Sequence, residues 1–140
     1  MTRRYAETTK VPVAQTKAEI EGMLLKIGAD RIGMMETRSG EAYVVFETEA
    51  AMYKLSAPAL DPNAKNLDQE RRRVWRAMGL LVKAKMTAIT EGISTVEREF
   101  LADAVMPDGS TMIEHAPRLI EQATSEHGPP RLMLTGPGGA

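Results

Sequence analysis

Four basic residues in the middle of this 140-residue chain have the types and spacing to hold phosphates: Arg72, Arg73, Arg76 and Lys83. On a helical wheel Arg72, Arg76 and Lys83 fall within about 40° of one another, a ridge with Arg73 on the same polar half. A guanidinium donates paired N–H bonds to a phosphate, and an ammonium acts beside it as a point charge. The competing reading is a solvated helix face, partly paired with acidic residues of the C-terminal segment. Aromatic residues on which a single strand would stack are scarce, with one Trp, three Tyr and two Phe in the chain. The net charge of −1 conceals an asymmetry: residues 1–64 carry −1, residues 65–91 carry +4 and residues 92–140 carry −4. A basic centre flanked by an acidic end either neutralises itself within the assembly or faces a polyanion.

Other constellations are weaker. Arg71 and Lys85 fall inside the apolar stripe of the same helix, where long basic stems lie along apolar surface or reach carboxylates across a subunit interface. With Trp75, Met78, Val82 and Met86 they form a candidate interface, and homodimerisation through it competes with packing inside one chain. Glu99 and Asp103 share a helical face, but with Glu97 serving a cap they lack a third convergent ligand for a metal. His115 and His127 stand at no recognisable spacing from a nucleophile, and Ser110 and Thr111 read as caps. Cysteine is absent, which excludes disulfides, thiolate nucleophiles and Cys-ligated metals. The terminal Gly136-Pro137-Gly138-Gly139 lacks the Lys-Ser/Thr and the helix of a phosphate-binding loop. No catalytic residue, cofactor or metal site is expected.

These residues need elements to position them. Val11-Pro12-Val13 reads as an edge strand. Thr16 with Glu19 reads as a capping box opening a helix through Ile20, Met23, Leu24 and Ile27, which Gly28 ends. Ile32 to Thr37 and Tyr43 to Thr48, joined through Ser39-Gly40, read as a hairpin, with Ala51 to Ala57 as a further strand. Pro58 and Pro62 break that pattern. From Asn66, a cap with Gln69 as its partner, a long helix runs to Gly92 on a stripe of Trp75, Met78, Val82, Met86 and Ile89. A break near Gly79 is left open. Ser94 with Glu97 reads as the cap of a short helix that turns Val96, Phe100 and Leu101 inward. Pro107-Asp108-Gly109 is a turn, and Thr111 with Glu114 opens a last helix that Pro117 restarts or kinks.

Two stretches resemble a family of small bacteriophage and prophage proteins of unassigned function. The first is Met1-Thr2-Arg3-Arg4-Tyr5-Ala6-Glu7-Thr8-Thr9, running on to Lys17-Ala18-Glu19-Ile20-Glu21. The second is Trp75-Arg76-Ala77 through Val82-Lys83-Ala84-Lys85, then Glu91-Gly92-Ile93, Glu97 to Leu101 and Pro107-Asp108-Gly109. The resemblance implies a phage or integrated-element origin and a host-cell setting, and it carries over no activity and no functional residue.

The expected architecture is one α+β domain over residues 1–135. A β-α-β-β-β part with a small antiparallel sheet fills 1–60, a helical part fills 65–128, and 136–140 form a flexible tail. Apolar runs are too short to span a bilayer, and Met1 to Lys10 lack the apolar segment of an export signal, so a bacterial cytoplasm is the expected home and no membrane partner is expected. The expected function is a non-enzymatic accessory role: binding nucleic acid or a nucleic-acid-processing complex through Arg72, Arg73, Arg76 and Lys83. The alternative is a protein-interaction module or oligomeric inhibitor, acting on a host or phage protein through the Met-rich stripe.

Overall fold

A computed structural model describes residues 8–132. The order is α1 (Val13–Lys26), β1 (Arg31–Glu36), β2 (Ala42–Glu47), β3 (Met52–Ala57), α2 (Leu67–Thr90), α3 (Val96–Glu99), a 3₁₀ turn (Leu101–Asp103) and α4 (Met112–His127). The fold is α+β: a three-stranded antiparallel meander, a long helix and shorter C-terminal helices.

Alternation makes the sheet one-sided. Ala42, Val44 and Phe46 of β2 and Tyr53, Leu55 and Ala57 of β3 are buried, while their neighbours face outward. The register places Val44 opposite Leu55 and Phe46 opposite Tyr53, so both strands turn the same apolar row toward the helices. Gly40 supplies the positive φ that the β1–β2 turn needs, and a Cβ there would stand 3.2 Å from Leu60.

The first expected strand is absent. Val13 is already the first residue of α1, and Pro12 is its N-cap, without a side-chain cap bond. Proline supports a helix start as readily as a strand edge, because the first turn has no use for its missing N–H. Thr16 therefore does not cap. It lies a turn inside the helix, fully buried against α2. The other expected starts differ less. Asn66 accepts from the Gln69 N–H at 3.1 Å, and Thr111 with Glu114 forms a capping box. At α3, Thr95 rather than Ser94 caps, accepting from the Arg98 N–H, while the Ser94 hydroxyl donates to Glu99. Phe100 turns inward and is fully buried, and Leu101 stays exposed. Pro117 lies within an α4 that continues from Met112 to His127. The expected flexible tail 136–140 and the opening residues 1–7 lie outside the described residues.

The helix α2 is unbroken over 24 residues, a rod of roughly 36 Å. It lies beside α1 and runs in the same direction. Lys17 sits over the Trp75 ring at 4.8 Å, Glu19 meets Arg76, and Met23 and Lys26 face Leu80 and Lys83. Gly79 makes this approach possible, since a Cβ there would stand 3.0 Å from the Thr16 methyl. The core is Ile20 and Leu24 of α1, the sheet's inner row, and Val74, Trp75, Met78 and Val82 of α2. Phe100 closes one end, edge-on to Phe46 with ring centroids 5.0 Å apart. The chain at 104–105 then covers part of the β3 edge, with Ala104 bridging to Tyr53 and the Val105 N–H bonded to the Met52 carbonyl.

Candidate nucleic-acid interface

Because Trp75, Met78 and Val82 turn α2 inward, its opposite flank is fixed outward along the seam with α1. Arg72, Arg76 and Lys83 lie on that flank, spread over about 16 Å of helix. Arg72 donates through Nε and Nη2 to the Gln69 side-chain oxygen, at 3.2 and 2.7 Å. This orients the guanidinium without placing an acid on it. Arg76 gives one N–H to Glu19 of α1 at 2.9 Å. Lys83 is exposed.

The ridge is widened from the α1 side. One groove of about 580 Å³ lies at the N-terminal ends of the two helices, with Lys10, Asp68, Arg71 and Arg72 on its wall. A second, of about 360 Å³, lies further along, with Glu19, Lys26, Arg76 and Lys83. Six cations and two carboxylates thus line the seam. Lys10 and Lys26 are additions that the α2 wheel alone does not reveal, since they come from α1 and the chain just ahead of it.

Arg73 does not join this ridge. It points toward β3 and pairs with Glu70 one turn back, its side chain only 17% exposed. Among the described residues, the ion-pair partners of Arg71, Arg73 and Arg76 are not C-terminal acids. They are Glu19 of α1, Glu36 of β1 and Glu70 of α2 itself.

The candidate interface on the other side of α2 is mostly interior. Trp75, Met78 and Val82 are buried within the chain at 1%, 6% and 0% exposure, so they pack on α1 and the sheet and offer no surface to a partner. Met86 is half-buried. Arg71 and Lys85 reach partners inside the chain. Arg71 grips Glu36 in a fork, Nε to Oε2 at 2.6 Å and Nη2 to Oε1 at 2.5 Å, and Lys17 adds a third bond at 2.8 Å. That fork, helped by Lys17 and opposed by partial burial, holds the Glu36 carboxyl down at about 2. Lys85 donates to the Glu99 carbonyl at 2.5 Å and lies 5.4 Å from the Phe100 ring centroid, pinning α3 to α2.

Elsewhere the geometry assembles little chemistry. Asp108, Ser110 and His115 meet in one chain of contacts, the Ser110 hydroxyl donating to Asp108 at 2.5 Å and lying 2.6 Å from His115 Nε2. The order is wrong for a nucleophile, because the serine proton goes to the carboxylate instead of to the imidazole. Burial raises the Asp103 carboxyl, with Lys85 acting against it. Among the described residues no three His, Asp or Glu converge as a metal site, and no helix is long and apolar enough to cross a membrane. No protein-family model, curated protein or solved structure matches the chain.

Proposed function

We propose that this chain is a non-enzymatic binding protein that contacts nucleic-acid phosphates along the α1–α2 seam, in an accessory role of the kind suggested by its resemblance to phage proteins. The observation that carries the reading is the seam's lining of six cations against two carboxylates in a chain whose net charge is −1. Glu36 takes Arg71 out of that set. Lys26, Arg72, Arg76 and Lys83 remain on two helices that share a core, with Lys10 just ahead of α1. Arg72 and Lys83 stand at the two ends of the α2 flank, and Arg76, singly bonded to Glu19, stands between them. An array of this kind reads backbone charge and shape, not base sequence.

The test is a salt titration of binding to labelled single- and double-stranded DNA and RNA. Each phosphate contact contributes roughly −0.7 to −0.9 to the slope of log affinity against log salt, so three to five contacts give about −2 to −4.5. Reversing Arg72 and Lys83 to Glu together should remove about two contacts' worth of slope and most of the affinity at low salt. Arg73→Gln, which keeps a donor beside Glu70, should change the slope little, because Arg73 faces away from the seam. No binding at low salt, or an unchanged slope in the double variant, refutes the proposal.

A further inference from the structure

The charges of the seam form two groups with a gap between them. Lys10 and Arg72 lie at one end. Arg71 beside them is held by Glu36, and the charge of Asp68, the acid of that groove, also acts on Arg71. Lys26 and Lys83 lie at the other end, one from each helix, both exposed and neither bonded through its ammonium among the described residues. Glu19, the acid of that groove, is turned to Arg76 instead, at 2.9 Å. The Glu19–Arg76 pair stands between the two groups and is neutral as a unit. With its side chain 44% exposed, Glu19 still presents carboxylate charge to whatever lies over the middle of the seam.

A pattern of positive, neutral and positive sorts nucleic acids by where their phosphates fall. A single strand following the seam carries a phosphate at every nucleotide, and one nucleotide is much shorter than the roughly 16 Å between Arg72 and Lys83. At least one phosphate then lies beside Glu19 and meets like charge. Single-strand binders offset such losses by stacking bases on aromatic rings. The seam has no ring to offer, because Trp75, the one aromatic residue of α1 and α2, is 1% exposed. A double helix laid across the seam differs. Its backbones present two separate rows of phosphates, with about 12 Å of open width between them at the major groove of B-DNA and about 6 Å at the minor groove. Cations about 16 Å apart, each on a long side chain, reach both rows that flank the major groove. Open groove then lies over Glu19, and no phosphate does.

We infer that the seam selects duplex DNA over single strands by lying across the major groove, with Lys10 and Arg72 on one phosphate row and Lys26 and Lys83 on the other. The inference rests on the proposed phosphate-binding role of the seam, and adds which form of nucleic acid the seam takes and what excludes the other. Glu19 is the selecting residue: it costs a duplex little and stands in the track of a strand.

Fluorescence anisotropy of the full chain with a labelled DNA duplex and with each of its separated strands, over a range of salt, tests it. Four contacts on the duplex at about −0.9 each give a slope near −3.5, and two on a strand at about −0.7 each give about −1.5. With two contacts fewer, the strands should bind about tenfold more weakly at low salt. Glu19→Gln, at an exposed position and folded by circular dichroism, opens the track to a strand. It should raise single-strand affinity several-fold and steepen that slope by about 0.7, while duplex affinity changes by less than about twofold. Strands bound as tightly as the duplex, or a Glu19→Gln gain equal on both forms, overturns the inference and leaves the seam a phosphate site. No binding of either form at low salt refutes the seam reading itself, and the inference with it.

Discussion

Substituting Gly79 tests the packing that places the basic seam. A Cβ at position 79 would meet Thr16 Cγ2 at 3.0 Å and Ile20 Cγ1 at 3.9 Å. Both residues are fully buried, so neither has solvent to move into. Gly79→Ala in a helix interior gains about 1 kcal/mol of propensity, while overpacking of this kind costs about 1 to 3 kcal/mol. Taking about 2 kcal/mol for the clash, the variant should be less stable by about 1 kcal/mol, a drop of roughly 4 °C in Tm. Thr16→Ser removes the methyl that obstructs and keeps the hydroxyl, at a cost of about 1 kcal/mol for the lost buried group. In that background Gly79→Ala should stabilise by about 1 kcal/mol, because the propensity gain is no longer opposed. The sign of one substitution thus reverses with the residue facing it, and the coupling between the sites is about 2 kcal/mol. Urea unfolding of the four proteins at constant m measures it. If the two effects add to within about 0.5 kcal/mol, the close approach of α1 and α2 at Gly79 is not what fixes their distance.

Two further perturbations follow. Glu36→Gln should cost about 1 kcal/mol at pH 7, solvent screening at the sheet edge reducing the value of its ion pairs to Arg71 and Lys17. The folded carboxyl is held at about 2, below its ordinary 4.5, so its contribution is complete above about pH 4.5 and disappears as pH falls toward 2. Urea midpoints of wild type and variant should therefore converge between pH 4.5 and 2, and a constant gap across that window contradicts the assignment. Phe100→Ala should cost about 3 to 5 kcal/mol, since the ring is fully buried against Phe46 and Tyr53 and holds α3 and the 3₁₀ turn to the core. Amide exchange should accelerate first over residues 95–111, and a loss under 1 kcal/mol would show that this segment is held by Lys85 and the β3 edge alone.

Local signals in the sequence carried much of this structure, and contacts between distant segments carried what it lacked. The meander was legible because Tyr43 to Phe46 favour a pleated surface and Ser39-Gly40 turn it, and α2 because its cap, its stripe and Gly92 agree. The error at residues 11–19 arose from two ambiguous signals. Pro12 suits a strand edge and a helix start equally, and Thr16-x-x-Glu19 matches a capping box although Thr16 faces Gly79, 63 positions away. Arg71 looked misplaced in an apolar stripe for the same reason: the carboxylate that accounts for it, Glu36, lies on β1, and no periodicity within α2 points to it.

That same limit governs the basic ridge, and it changes what the ridge is. Four cations on one helical wheel suggest a continuous positive face. The fold removes Arg73 to the β3 side, places a carboxylate of α1 on Arg76, and leaves Arg72 and Lys83 apart at the ends of the flank. A wheel counts only the charges of its own helix, whereas the field at the seam is summed over both helices. From α1 come Glu19, which weakens the middle, and Lys26, which reinforces the Lys83 end, while Lys10 just ahead of it adds to the Arg72 end. Phosphate contacts should therefore concentrate at the two ends of the seam. Single reversals at Arg72 and Lys83 should lower the salt slope by similar amounts, and Arg76→Ala by less. Equal losses at all three would mean that Glu19 releases Arg76 when a polyanion binds, and Glu19→Gln would then raise affinity without changing the slope by more than about 0.5.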